Sequence, residues 1–224
     1  LNNPSEYTIP LLKMEHLENE YYCFDFKKPE GFSFVEGQFG VFGIVGKEIE
    51  GRKLRAFSIA STSDEEVIKM ATRIIEAPSS YKEKLLALQP GELVTMNAPR
   101  GEFVLDLSRD AIFIAGGIGI TPIRSMILSK SRNVKTRKDV LIYSELQASY
   151  PFKEELENLS NLEIHYAADI EPTQKAIIEV AAMHLNDAYY YLSGSPGFVK
   201  GLTGLLTEHG IVTENIKFDV FTGY

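Results

Sequence analysis

The sequence changes its pattern near Leu107-Ser108-Arg109, and that change limits the chain to a β unit followed by an α/β unit. Before it, short runs rich in β-branched and aromatic residues read as strands over Tyr21–Phe26, Gln38–Ile44, Ala56–Ile59, Val67–Thr72 and Leu93–Met96. Pro29-Glu30-Gly31, Glu50-Gly51-Arg52 and Pro90-Gly91-Glu92 mark turns between them. Ser80 and Glu83 have the spacing of a capping box, which opens a helix over Tyr81–Leu88. Strands at this spacing, about six of them, predict a closed antiparallel barrel.

After the change, strands at Ala111–Ala115, Val140–Tyr143, Leu162–Tyr166, Ala188–Leu192 and Ile216–Phe221 alternate with helices. The helices are expected at Pro122–Ser131, Phe152–Leu159, Ala176–Met183 and Gly197–Glu208. Such alternation predicts a parallel sheet with helices on both faces. The expected domains are residues 1–108 and 109–224, a size for each that can bury its own core.

Several function classes are disfavoured. No apolar run approaches the roughly 18–20 residues of a membrane span, so no transmembrane segment is expected. A net charge of −8 argues against nucleic-acid binding. One local basic run, Lys130, Arg132, Lys135, Arg137 and Lys138, reads either as a solvated helix end or as a docking patch for an acidic redox partner. With Cys23 as its only cysteine, the chain has no internal disulfide and holds no iron–sulfur cluster by itself. The four histidines lack metal-ligand spacing, so no metal site is expected. No secretory signal is visible from Leu1, and a cytoplasmic location is the expectation.

Three segments carry chemistry. In Arg55-Ala56-Phe57-Ser58, Arg55 and Phe57 share one face of a strand, where a guanidinium beside an aromatic ring suits a phosphate joined to a flat ring system. In Gly116-Gly117-Ile118-Gly119-Ile120-Thr121-Pro122, glycines after a buried strand let backbone approach a pyrophosphate. Thr121 as N-cap and Pro122 at the first helical position would start the helix. Pro122 stands where the common dinucleotide fingerprint has its third glycine. Ser193-Gly194-Ser195-Pro196 ends another strand, so this turn and the Gly116 turn should flank one crevice.

Taken in this order along essentially the whole chain, these segments resemble the ferredoxin–NADP reductase family, with its Arg-x-Tyr/Phe-Ser, Gly-Gly-x-Gly-x-Thr-Pro and Cys-Gly-x-Pro motifs. Glu36-Gly37-Gln38-Phe39 resembles the family's Gly-Gln turn, and Ala98-Pro99-Arg100-Gly101-Glu102-Phe103 its Gly-Pro-x-Gly-x-Phe segment, with Ala98 replacing Gly. The resemblance implies a flavin barrel followed by a nicotinamide-nucleotide domain. Arg55 would then pair with the flavin pyrophosphate, Ala56 would lie in the flavin site, Phe57 would pack against the isoalloxazine or ribityl side, and Ser58 would place its hydroxyl by N5. Ala71-Thr72-Arg73 and Ser79-Ser80 match the second flavin contact, although helix capping alone also accounts for the two serines. Gly116, Gly117, Gly119, Thr121, Pro122, Gly194, Ser195 and Pro196 would hold the nicotinamide nucleotide.

Ser58, Ser193 (where the family has Cys) and Asp219 (where Glu is commoner) occupy the implied catalytic positions. Phe221 matches an aromatic that covers the flavin, with Tyr224 a second candidate ring; a final strand with one buried aromatic is the other reading. At the end of the second α/β strand, acidic Glu145 suits a free ribose 2′-hydroxyl, and Leu146 stands where NADP-using relatives often carry Arg. Together they favour NADH over NADPH, against Arg124 and Lys153 nearby. The implied activity is hydride transfer from NAD(P)H to FAD, or less readily FMN, then to an external acceptor such as a ferredoxin, a flavodoxin or a membrane redox protein. The alternatives are a ferric or flavin reductase, or an electron-transfer subunit active only in a complex.

Overall fold

The computed structural model describes residues 5–133 and 139–222. The chain divides between Val104 and Leu105 into two compact units.

The first unit is an antiparallel sheet of β1 (Ser5–Glu18), β2 (Tyr21–Lys27), β3 (Phe39–Ile44), β4 (Leu54–Ser58), β5 (Val67–Arg73) and β6 (Leu93–Arg100), in the order β4-β3-β6-β1-β2-β5. Its end strands are drawn together where the Ala60 N–H donates to the Lys69 carbonyl (2.8 Å), which curls the sheet into a barrel. Inward residues of alternating strands, among them Phe24, Phe26, Phe42, Ile68, Met70 and Met96, form the core. Helix α1 (Ser80–Leu86) adds Tyr81 and Leu85 to it.

The long strand β1 was not among the expected elements. It pairs with β6 from Ser5↔Ala98 to Pro10↔Leu93, then with β2 from Leu11↔Phe26 to Glu18↔Tyr21. Pro10, which has no N–H to give a ladder, sits at this change of partner, and exposed Lys13 and Glu15 beyond it break the apolar alternation. The capping box also needs correction. Ser79, not Ser80, is the N-cap of α1 and accepts from the Lys82 N–H, while the Ser80 hydroxyl is taken by the Glu50 N–H at 3.1 Å.

The second unit is a parallel sheet of β7 (Asp110–Gly116), β8 (Asp139–Ser144), β9 (Leu162–Ala167), β10 (Ala188–Gly194) and β11 (Ile216–Val220), in the order β11-β10-β7-β8-β9. Helices α2 (Ile120–Asn133), α3 (Lys153–Glu157), α4 (Ile170–His184) and α5 (Pro196–Glu208) connect the strands. Strands β7, β8 and β10 are buried almost throughout, as unbroken apolar runs require. The strand order reverses between β7 and β10, and in open α/β sheets the crevice at the carboxyl ends of such strands is where ligands generally bind. Among the described residues no helix is long and apolar enough to cross a membrane.

Three further expectations give way. Helix α4 begins at Ile170 rather than Ala176, because the Asp169 carboxylate accepts from the Ile170 N–H (2.6 Å) and Pro172 falls in the first turn, where a missing N–H costs nothing. Thr121 is not a cap: a 3-10 turn over Gly117–Gly119 carries the helical path upstream of it, and its hydroxyl donates to the Ile118 carbonyl (3.0 Å). Lys130 is neither solvated nor a docking group. It is buried in α2 and paired at 2.5 Å with Asp139, the first residue of β8; each side chain is only 4% exposed. Burial nevertheless holds the Asp139 carboxyl above its ordinary range, against the pull of Lys130. Lys135, Arg137 and Lys138 lie outside the described residues.

Candidate functional site

In the first unit the Arg55 face of β4 meets helix α1. Phe57 lies 5.9 Å from the Phe42 ring and 6.1 Å from the Tyr81 ring, centroid to centroid. The Arg55 guanidinium stands 5.5 Å from the same Tyr81 ring and donates to the Arg52 and Leu54 carbonyls (2.7 and 3.2 Å). Arg55 and Phe57 therefore do share a face, with Tyr81 under both. Tyr81 is itself fixed, donating from its hydroxyl to the Phe42 carbonyl at 3.1 Å, and burial raises its phenol far above the ordinary value. Ala56 is exposed, and Ser58 is buried opposite Phe39 of β3.

Strand β5 brings Ala71 and Thr72, both buried, and then Arg73. Arg73 pairs with Glu20 (2.6 Å), and its carbonyl accepts from Lys82 Nζ (2.6 Å). Lys82 is held below the ordinary lysine range by burial, then by the positive charges of Arg55 and Arg73. Sequence reasoning missed both Tyr81 and Lys82. A cation in the first turn of a helix opposes the helix dipole, and that oddity was the available signal for Lys82. Nearby, buried Gln38 stitches two turns: it accepts from the Val35 N–H (2.9 Å) and donates to the Gly101 carbonyl (3.2 Å). Gly101 has φ +92°, and a Cβ there would lie 2.9 Å from the Phe39 ring, so the turn admits glycine alone.

In the second unit the two glycine turns meet at the switch point. A Cβ on Gly119 would stand 2.2 Å from the Ser193 carbonyl oxygen, and one on Gly116 would stand 2.9 Å from the Phe198 ring. Ser195 caps α5, accepting from the Phe198 N–H (3.3 Å), with Pro196 opening the helix. Ser193 is fully buried, and its hydroxyl has no hydrogen-bond partner among the described residues. In register, Ser193 lies opposite Asp219 of β11, and the Phe221 N–H donates to the Gly194 carbonyl (2.9 Å). Tyr224 lies outside the described residues.

At the end of β8, Glu145 is half-buried and accepts from the Gln147 N–H (3.2 Å), while Leu146 is 74% exposed. The two nearby cations are committed elsewhere. Arg124 is buried, forms a two-pronged pair with Glu155 (2.7 Å for each bond) and lies over the Phe152 ring. Lys153 Nζ lies 5.0 Å from the Tyr166 ring.

An antiparallel six-stranded unit followed by a five-stranded parallel unit with glycine turns at its switch point defines a ferredoxin–NADP+ reductase-like domain, the fold of FAD/NAD(P)-binding reductases. The chain is similar to a subunit of the Na(+)-translocating NADH-quinone reductase from Idiomarina loihiensis, at 28% identity over 89% of this chain and 56% of that protein. It is also similar to the flavohemoprotein of Bacillus subtilis, at 25% identity over 84% of this chain and 51% of that one. Among solved structures it superimposes on the ferredoxin-NADP+ reductase from Plasmodium falciparum with a TM-score of 0.82 and 20% identity, covering 96% of each chain. No family model matches the chain. It spans about half the length of the curated relatives it matches.

Proposed function

We propose that this chain is an FAD-dependent NADH oxidoreductase that passes electrons to an external acceptor. The observation that carries the reading is the face of β4, where Arg55 and Phe57 stand together over Tyr81. The residues present fit both groups the reaction needs. Arg55, Arg73 and Lys82 supply cations for a flavin diphosphate, with Ser79 and Ser80 at the adjoining helix start and Ala71 and Thr72 behind them. Phe57 offers an aromatic edge to the flavin ring and Ser58 a hydroxyl for its N5. Bound there, FAD supplies the hydride-accepting centre that no side chain of the chain can provide.

The nicotinamide nucleotide has a matching cradle. Gly116 and Gly117, half-buried at the end of β7, leave backbone within reach of a nucleotide, and Gly119 lets their turn close on the Ser193 carbonyl. Gly194, Ser195 and Pro196 form the opposite lip, and Thr121 and Pro122 lie in the first turn of α2. The buried Ser193 hydroxyl, without a hydrogen-bond partner among the described residues, is a polar group with a hydrogen bond left to make, which suits the carboxamide of a nicotinamide. Asp219, in register beside it, is a carboxylate able to hold a proton, and Phe221 is a half-buried ring anchored through its backbone. Glu145 would accept from a free ribose 2′-hydroxyl and repel a 2′-phosphate; with Arg124 and Lys153 already engaged, NADH is favoured over NADPH.

The test is to purify the protein, extract and chromatograph its flavin, and reduce it anaerobically with NADH. A yellow protein that releases FAD and is bleached by NADH is the expected result; a protein that neither carries nor takes up FAD would overturn the reading. Arg55→Ala should lower FAD affinity at least tenfold, the scale of one charge-assisted contact of roughly 1.5–3 kcal/mol.

The half-length match to the curated relatives favours a second reading, a module that meets its acceptor only beside a further domain or protein. Turnover with an artificial acceptor alongside none with free ferredoxin or flavodoxin would select it.

A further inference from the structure

Around Arg55 the charges do not balance. Arg73 has Glu20 as its carboxylate partner (2.6 Å). Arg55 and Lys82 have none among the described residues: Arg55 donates to the Arg52 and Leu54 carbonyls, and Lys82 to the Arg73 carbonyl. On α1, Glu83 pairs with Lys84 (3.0 Å), and the Glu50 backbone N–H donates to the Ser80 hydroxyl. Among Arg55, Arg73, Lys82 and Glu20, three cations against one carboxylate leave an excess of two positive charges, which equals the charge of a diphosphate diester.

The three cations do not hold their protons equally. A guanidinium keeps its charge in any accessible pH range, whereas an ammonium that is half-buried beside two guanidinium groups can give up its proton. Burial and these two neighbours both push Lys82 in that direction. Lys82 also lacks slack, because its Nζ is tied to the Arg73 carbonyl at 2.6 Å and cannot swing away to bulk water without losing that bond.

We propose that Lys82 is the third cation of the flavin-diphosphate site and takes up a proton when the diphosphate arrives. This inference rests on the reading that the Arg55 face binds flavin. Two negative charges beside Lys82 favour its ammonium form, so the bound state holds the proton to higher pH than the free state. Affinity for FAD is then greatest at low pH. It falls as the pH rises through the lysine pKa of the free protein, and levels off above that of the complex.

The experiment is calorimetric titration of the deflavinated protein with FAD at a series of pH values below the ordinary lysine value of 10.5, each in two buffers of different ionisation enthalpy. The wild type is expected to take up a fraction of a proton per FAD bound. Lys82→Arg should bind FAD as tightly with that uptake abolished, since its charge is permanent. Lys82→Met should also show no uptake and bind FAD about tenfold more weakly. Proton uptake undiminished in both variants would overturn the proposal while leaving the flavin site intact. FAD affinity insensitive to Arg55→Ala would overturn the proposal together with the site on which it rests.

Discussion

Gly119 sits so close to Ser193 that a methyl group on it would stand 2.2 Å from the Ser193 carbonyl oxygen and 2.5 Å from the carbonyl carbon. Both are backbone atoms, so no rotamer change relieves the clash. Gly119→Ala is expected to push the two turns apart and destabilise the second unit by about 1–3 kcal/mol, the usual cost of overpacking. NADH affinity should fall at least tenfold while FAD content stays the same. Chemical denaturation and nucleotide titration of the same preparation check both parts.

On the proposed function, the end of β8 would govern which coenzyme is used. Steady-state kcat/KM should be higher with NADH than with NADPH. Glu145→Ala with Leu146→Arg should narrow or invert that ratio, by removing a repulsive carboxylate and supplying a phosphate-binding cation beside an already exposed position. A wild-type preference for NADPH would refute the assignment.

Lys130 and Asp139 form a buried pair, and such pairs are costly to halve but cheap to replace whole. Lys130→Met alone should lower unfolding free energy by about 3–5 kcal/mol. Lys130→Met with Asp139→Leu should restore most of it. Because the native pKa of Asp139 is raised, its contribution to stability is fullest below the carboxyl's ordinary value of 3.8 and diminishes as the pH rises through the native value. Stability measured against Asp139→Asn, which does not titrate, should therefore decline across that interval.

At the alkaline end, burial pushes the phenols of Tyr190 and Tyr191 up to about 12. A raised native pKa means that their stabilising effect is complete below the ordinary phenol value of 10 and is lost as the pH rises through 12. Tyrosinate absorbance followed with circular dichroism should show these two rings ionising only as the second unit unfolds. Ionisation near 10 in the folded protein would contradict the burial argument.

Element type was legible wherever one force dominated. The unbroken apolar runs of β7, β8 and β10 read as buried strands, and Gly116 and Gly194 mark where β7 and β10 stop. Legibility failed where two local signals competed. Ser79 and Ser80 are equally good caps in isolation, and the choice was made by Glu50, a partner distant in sequence. Pro10 and its charged neighbours obscured β1, which is held by ladders on two sides rather than by its own propensity. Of the candidate site, the shared face of Arg55 and Phe57 followed from strand periodicity, and the meeting of the Gly116 and Ser193 turns from the topology rule. Lys82 and the engaged state of Arg124 did not follow, because both depend on tertiary neighbours.

The ladder between β1 and β6 joins the start of the first unit to its end, with Ser5 opposite Ala98. A ribosome emits these partners many seconds apart, at roughly 5–20 residues per second. Until the Ala98 region emerges, one edge of β1 is an unpaired row of backbone donors and acceptors. The nascent barrel must therefore wait for its last strand, and in the second unit β7 waits almost as long for β10, with Asp110 opposite Ala188. Each unit carries an open strand edge for much of its own translation.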